Sequence, residues 1–379
     1  MARVAFINEN TLGHRSYLEP YAQSLKGMPN NCFDIDWHDV IPLPADLAWF
    51  GETSIRGLRR WGLDLGATRW RMAASQHALR LVRQAHSRRP YDAIVVNTQS
   101  VALSFARWRG CPPLLVCMDA TFRQLAKTPW FASGTIGRWA APLMLAWLFK
   151  REIQLFQKAK YLLPWSEAAA RSLRDDYGIP TQKIHIVPPS VNIQPFQKKI
   201  RPIGQKRQIL FIGGDFKRKG GPILLQAFRS YLRADWELHI VTQSDVQEEP
   251  GVKVYRGVTH GSVAWLERWQ HADVFVFPSS LETFGIVLLE AIAFGIPVIS
   301  SKAGAAIEIL NDGKAGILLD EISPDSIVTA LNSIIEKPYH TKVHVENGLD
   351  SAVNRYNVFA NAVILSKLIH MFSNRDVAI

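Results

Sequence analysis

Between Pro278 and Ser301 the chain reads PSSLETFGIVLLEAIAFGIPVISS, with two carboxylates, Glu282 and Glu290, eight residues apart around a Phe284-Gly285 pair. An apolar run follows Gly285 and is closed by Gly295 and Pro297, which predicts a helix opening at the Phe-Gly pair. A helix start presents unpaired N–H groups and the positive end of the helix dipole, a combination suited to an anion. Gly285 lets a ligand approach the backbone closely. Glu282 falls in the loop, and Glu290 about a turn and a half into the helix. Carboxylates repel a neighbouring phosphate unless they accept hydrogen bonds from neutral hydroxyls. The pattern therefore asks for one ligand with an anionic centre and polyol ends. A surface helix with incidental charge is the plainer alternative.

Three further stretches carry polar chemistry at strand ends. FIGGDFKRKGG, Phe211 to Gly221, joins a strand to the pair Gly213-Gly214 and then to Lys217, Arg218 and Lys219, bases able to neutralise a diphosphate. Alone this is weak, because basic glycine-rich turns are common on surfaces. NENTLGHRSY places Gly13 and His14 after the first strand, and VCMDAT places Asp119 after another. A lone histidine is more often structural and an aspartate there can be a helix cap, so at these strand ends the structural and functional readings both stand. No metal motif appears. The Asp34–Asp36 pair sits inside a strand-like stretch, far in sequence from the phosphate elements, and reads as structural.

These residues need a scaffold, and the pattern around them supplies one. The first half alternates short apolar strands (RVAFINEN, YDAIVVNTQS, PPLLVCMDAT, AKYLLP) with helical stretches such as TRWRMAASQHALRLVRQAH and a helix after Ser166. A second series begins after VPPSVNIQPFQKKIRPIGQKR, the best linker candidate: QILFIGG, WELHIVTQ, VKVYRGV, ADVFVFPSS, GIPVISS and GILLD, with helices between. The predicted units are 1–195 and 205–354, with a C-terminal helix at about 355–379 packing back on the first. Two parallel-sheet α/β domains follow, with a cleft between them, and ligands in such sheets bind beyond the carboxyl ends of the strands.

At 379 residues, with 47 % hydrophobic and 20 % charged residues, the chain suits two globular domains. Cys32, Cys111 and Cys117 form no CxxC pair, which argues against a disulfide framework or zinc site and for a reducing compartment. The start MARVAFINEN reads as a strand rather than a leader, and the apolar run Trp139–Phe149 has 11 residues where a spanning helix needs about 20. The net charge of +11 is local: residues 51–160 hold 18 Lys/Arg against 5 Asp/Glu, the remainder 26 against 28. That block also contains Trp61, Trp70, Trp108, Trp130, Trp139 and Trp147. Bases interleaved with tryptophan suit an anionic membrane surface, or nucleic acid, or a solvated face over core indoles.

Together the motifs resemble the retaining glycosyltransferases of family four (glycosyl transferases group 1), which have the GT-B fold: two Rossmann-like, doubly wound parallel-sheet domains facing each other across a cleft. The likeness is strongest in PSSLETFGIVLLEAIAFGIPVISSKAGAAIEIL, weaker in FIGGDFKRKGG and in WSEAAARSLRDDYGIPTQKIHIVPPSVN, and only general over the first 130 residues. It implies that Glu290 binds the donor's ribose, and that Glu282 and Thr283 face the transferred sugar. The amides around Phe284 and Gly285 would meet sugar or phosphate, with Gly13, Gly213 and Gly214 lining the donor. Lys219 would neutralise the leaving diphosphate; Glu282, together with His14 and Asp119 from their places at strand ends, completes the candidate catalytic set. The chain departs from the family where Gly213-Gly214 replaces a Gly-Arg pair, so Arg218 is the substitute for the missing arginine. Ser190 replaces a glycine, and Asp119 lacks the histidine that often precedes it.

The expectation is a metal-independent, retaining hexosyltransferase that needs no cofactor beyond a nucleotide-diphosphate sugar as donor. Its acceptor would be a cell-envelope glycan or lipid-linked molecule, and its place the cytoplasm, peripheral on the inner face of the plasma membrane. A catalytically silent GT-B-like scaffold is the alternative. A nucleic-acid-binding protein fits less well, because it gives Glu282 and Glu290 no role.

Overall fold

The structure, a computed structural model, describes residues 1–10, 17–28, 33–52, 65–128, 135–191 and 204–372, apart from the side chains of 65 and 135–144. The chain forms two compact units, Met1–Ser190 with Val358–Ile379, and Val191–Asn357. Most of the expected linker, residues 192–203, lies outside the described residues.

The first unit is built on β1 (Ala2–Asn8), β2 (Phe33–Asp39), β3 (Ala93–Asn97), β4 (Leu114–Met118) and β5 (Tyr161–Pro164). They pair in the order β2-β1-β3-β4-β5, all parallel. Every residue of β3, β4 and β5 is buried, which explains their unbroken apolar runs: a parallel sheet is covered on both faces and has no solvent side to alternate with. Its helices are α1 (Leu18–Lys26), α2 (Ala45–Glu52), α3 (Leu65–Arg88), α4 (Gln99–Ala102), α5 (Phe122–Ala126), α6 (Thr135–Lys158) and α7 (Glu167–Asp175). Ser166 caps α7 by accepting from the Ala169 amide, as its sequence suggests. Phe105, Leu148, Phe156 and Leu162 are among the core residues with no exposed surface, each contributing about 1.5–3 kcal/mol by burial.

The second unit holds β6 (Arg207–Ile212), β7 (Trp236–Val241), β8 (Val252–Tyr255), β9 (Val274–Phe277), β10 (Val298–Ser301) and β11 (Ile317–Leu319), in the parallel order β11-β10-β9-β6-β7-β8. Between them run α8 (Gly221–Ala227), α9 (Val263–His271), α10 (Ile286–Ala293) and α11 (Ala306–Ile309), followed by α12 (Pro324–Glu336) and α13 (Pro338–Asn354). The last helix, α14 (Val358–His370), belongs to the first unit. There His370 stacks obliquely on Phe33 at 4.6 Å and Asn361 donates to Ser190 Oγ at 3.4 Å.

The two sheet orders matter for function. In each, the chain first builds outward on one side and then crosses back to build on the other. The reversal falls between β1 and β3 in the first unit and between β6 and β9 in the second. Loops leaving the carboxyl ends of those two strands diverge to opposite faces and leave room for a ligand.

Among the described residues, the tryptophans of the basic block divide between core and surface. Trp108, in the connection ahead of β4, is buried, and Trp70 on α3 packs against the same core. Trp147 is 36 % exposed, with the Arg151 guanidinium 5.2 Å from its ring, and Trp49 on α2 is 73 % exposed. Trp61, Trp130 and the side chain of Trp139 lie outside the described residues. Among the described residues no helix is long and apolar enough to cross a membrane.

Candidate functional site

The switch point of the second sheet is where FIGGDFKRKGG and PSSLETFG meet. The loop after β6 coils at once, with the Lys219 amide donating to Asp215 O at 3.0 Å and the Gly221 amide to Phe216 O at 2.8 Å. Its glycine turn is tied to β7: Gly214 O accepts from Ser244 Oγ at 3.1 Å, and the Gly213 amide donates to Val241 O at 2.9 Å. Gly213 also lies against Lys219, since a Cβ on it would stand 3.0 Å from the lysine Cβ. Gly220 has φ of +82°, and a Cβ there would fall 1.9 Å from the Pro278 carbonyl oxygen. The two loops thus touch backbone to backbone, which only glycine permits.

Arg218 clamps the same two loops. Its Nη1 donates to Leu281 O at 2.9 Å and its Nε lies 3.3 Å from Asp215 Oδ2, while its own carbonyl accepts from the Ser280 amide at 3.2 Å. The loop after β9 is further braced by Ser301 Oγ, which donates to Ser279 O at 2.6 Å. This clamping is a function that sequence alone did not suggest for Arg218.

Lys219 Nζ is paired with Glu282 Oε2, and both side chains are at least 85 % shielded from solvent. The ammonium also lies 5.2 Å from the Phe277 ring. Burial draws the Lys219 pKa below the ordinary lysine value, and Glu282 opposes that shift. Oε1 of Glu282 accepts from the Thr283 amide at 3.0 Å, so the carboxylate is oriented from both sides. A cation and a carboxylate sequestered together are sensitive to the loss of either partner.

Beyond the pair, α10 begins as expected. Gly285 takes φ of +97° and Leu288 N donates back to its carbonyl at 2.9 Å. Phe284 is only 1 % exposed, so its ring anchors the loop in the core and only its backbone remains for a ligand. Glu290 is 8 % exposed on the second turn, and its Oε1 lies 3.1 Å from His260 Nε2. The His260 pKa is raised above the ordinary histidine value, first by the hydrogen bond to Glu290, with burial opposing. His260 escaped the reading of the sequence; the signal was a histidine between two glycines in VYRGVTHGS, just past the end of β8.

In the first unit, Gly13 and His14 lie outside the described residues. Asp119 follows β4 and its Oδ1 accepts from the Ala120 amide at 2.8 Å. Next to it a capping box on Thr121 and Gln124 starts α5, and the buried Glu152 accepts from the Phe122 amide at 2.9 Å. Burial pushes the Glu152 carboxyl up to about 8. At the switch point Glu9 and Thr98, which sequence reasoning also missed, are bonded to each other and buried. Asp36 holds Arg3 at 2.6 Å and Asp34 holds Arg89 at 2.7 Å, the structural use expected of that pair. No cluster of three or more His, Cys, Asp or Glu side chains suited to a metal ion occurs among the described residues.

Residues 192–350 match the family described as glycosyl transferases group 1, and residues 38–190 match the glycosyl transferase 4-like domain. Among curated proteins the chain is similar to the MMP alpha-(1->4)-mannosyltransferase of Mycolicibacterium hassiacum, 27 % identical over 234 residues that cover 58 % of this chain and 56 % of that protein. It is also similar to the D-inositol 3-phosphate glycosyltransferase of Nocardiopsis dassonvillei, 27 % identical over 216 residues covering 49 % and 50 %. The chain spans about half the length of the curated relatives it matches. Sucrose-phosphate synthase from Thermosynechococcus elongatus shares its fold with a TM-score of 0.73 at 19 % identity, covering 98 % of this chain and 99 % of that one. Anabaena HepE, solved in complex with UDP-glucose, does so at 0.66 and 16 %, covering 98 % and 100 %.

Proposed function

The chain belongs to the glycosyl transferases group 1 family and has the GT-B fold, and from that premise we propose that it is a retaining hexosyltransferase using a nucleotide-diphosphate sugar as donor. The observation that carries this reading is the meeting of Lys219 and Glu282 at the switch point of the second sheet. In the reaction, the bond between the sugar's anomeric carbon and the diphosphate oxygen breaks and a bond to an acceptor oxygen forms on the same face. The electron pair leaves with the diphosphate, and the acceptor hydroxyl's proton passes to the departing diphosphate oxygen on that same face. Lys219 is the cation placed to stabilise that charge, a role that grows as the bond breaks and so lowers the barrier. A diphosphate shares the ammonium with Glu282, and the Glu282 carboxylate then accepts from a hydroxyl of the transferred sugar.

The remaining residues position. Glu290 accepts from the ribose hydroxyls. The backbone at Gly213, Gly214, Thr283, Phe284 and Gly285 approaches the phosphates and sugar, and Arg218 holds the loops in register while adding positive charge. Asp119 and His14 complete the catalytic set, and no metal or further cofactor is required. The acceptor is a cell-envelope glycan or lipid-linked molecule, taken by the first unit at the inner face of a membrane. Exposed Trp49 and Trp147, with Arg151 beside the latter, support that placement.

A thermal-shift screen against UDP-, GDP-, ADP- and TDP-sugars tests the donor reading, because a ligand bound only by the folded state raises the melting temperature. One class is expected to stabilise the wild-type protein, with the shift lost in Lys219→Ala and Glu290→Ala. Retention of full transfer activity by both variants refutes the site assignment. A folded protein that binds none of the four points instead to a silent scaffold.

A further inference from the structure

His260 is a polar side chain at this site to which the donor reading gives no role. It lies in the loop between β8 and α9, thirty residues before its partner Glu290. Two aromatic contacts bring it there: Trp265 and Trp269 of α9 pack on Phe294, just past α10, with centroids 5.3 and 5.4 Å apart. Since α9 and α10 both follow parallel strands, their starts lie at the same end of the sheet. The imidazole itself rests against Trp265 at 4.7 Å, and Trp265 is held by the α9 cap, its amide donating to Ser262 Oγ at 3.2 Å.

The exposures of the two partners differ: the His260 side chain is 61 % exposed and that of Glu290 only 10 %. An ion pair this open on one side adds little to stability. It does bond Oε1 of a shielded carboxylate to a ring whose inner side rests against Trp265. A vicinal diol offers two O–H donors in a fixed geometry, and a carboxylate meets both only if its plane is set beforehand.

We infer that His260 is a positioning residue for the nucleoside end of the donor: it fixes the Glu290 carboxylate so that its oxygens receive the two ribose hydroxyls. This rests on the proposal that Glu290 is the ribose acceptor. It assigns His260 to binding rather than to bond breaking, and to the ribose rather than to the phosphates, which belong to Lys219.

The test is calorimetric titration of the full chain with UDP, GDP, ADP and TDP, taking the tightest of the four, and with inorganic pyrophosphate as a probe without ribose. His260→Phe, which keeps the contact with Trp265 but cannot donate, is expected to weaken the nucleotide about tenfold, the size of one hydrogen bond to a charged group. His260→Gln, whose amide can donate, is expected to stay within about threefold of wild type. Pyrophosphate affinity is expected to be unchanged in both, and in a Glu290→Gln background His260→Phe is expected to add less than about twofold. Equal weakening of pyrophosphate means a distorted loop and overturns the inference. Unchanged or tighter nucleotide binding by His260→Phe overturns it as well, the latter by showing that the imidazole competes with the ligand. Failure of all four nucleotides to bind the wild-type protein overturns the donor reading itself, an outcome distinct from those.

Discussion

The contact between Gly220 and Pro278 allows a sharp prediction. In Gly220→Ala the new methyl would fall 1.9 Å from the Pro278 carbonyl oxygen and 2.6 Å from its carbon. Neither is the end of a flexible side chain, so the loops after β6 and β9 must separate by about 1.5 Å to reach ordinary contact. The residue is also held at φ of +82°, which costs a non-glycine residue about 1–2 kcal/mol. Overpacking against a backbone adds about 1–3 kcal/mol. A central value of about 3.5 kcal/mol corresponds to a fall in melting temperature of roughly 7–14 °C for a unit of this size. Because Lys219 precedes Gly220, the same separation pulls its ammonium from Glu282. A misplacement of about 1 Å at a reacting centre costs about 100-fold in turnover. Gly214→Ala is the control: nothing lies within 4 Å of its added methyl and its backbone is not left-handed, so its melting temperature is expected within roughly 2 °C of wild type. Calorimetric melting of both variants, with donor turnover measured alongside, decides the matter. Gly220→Ala melting within 2 °C of wild type refutes the backbone contact on which the site is built.

Other expectations follow from the charges. Glu152, whose carboxyl is pushed up to about 8, takes up a proton on folding at intermediate pH, so wild-type stability is expected to fall as pH rises from about 5 to 8, by up to about 1.4 kcal/mol per unit. Glu152→Gln should flatten that slope in urea unfolding; an unchanged slope assigns it elsewhere. The His260 ring should titrate by NMR above the ordinary histidine range and return toward it in Glu290→Gln. Its raised pKa means that the pair's stabilisation is present below the unfolded value and is lost as pH rises through the folded one. Sedimentation with anionic and neutral vesicles tests the membrane proposal: stronger binding to anionic vesicles at low salt is expected, reduced in Trp147→Ala and Arg151→Ala, whereas equal binding to both vesicles rejects it.

Much of this was legible because it is local. The run VFVF ahead of Pro278 could only be a fully buried strand, and the glycine before IVLLEAIA could only open its helix. Ser166 announced α7 by the same kind of short-range bonding. Residue types at strand ends then pointed to the bases Lys217 to Lys219 and to Glu282, the helix pattern to Glu290, and the family resemblance to Lys219 among the bases. The tryptophans of the basic block could not be sorted in advance, because composition does not say which face a residue occupies: Trp108 is core, while Trp147, and Trp49 just outside the block, are exposed.

The sequence by itself determined the class of fold, the strand ends and the chemical types gathered there, because periodicity, capping and turn formation act over a few residues. Only the tertiary structure decided which of those residues meet. Lys219 and Glu282 are 63 positions apart and pair because β6 and β9 are neighbours in a sheet whose order reverses between them. Arg218 became a clamp because Leu281 O lies opposite it, and His260 found Glu290 because aromatic packing set α9 beside α10. Such partnerships arise from the packing of whole elements, where the free energy of burial is spread over many side chains and no single stretch records the outcome.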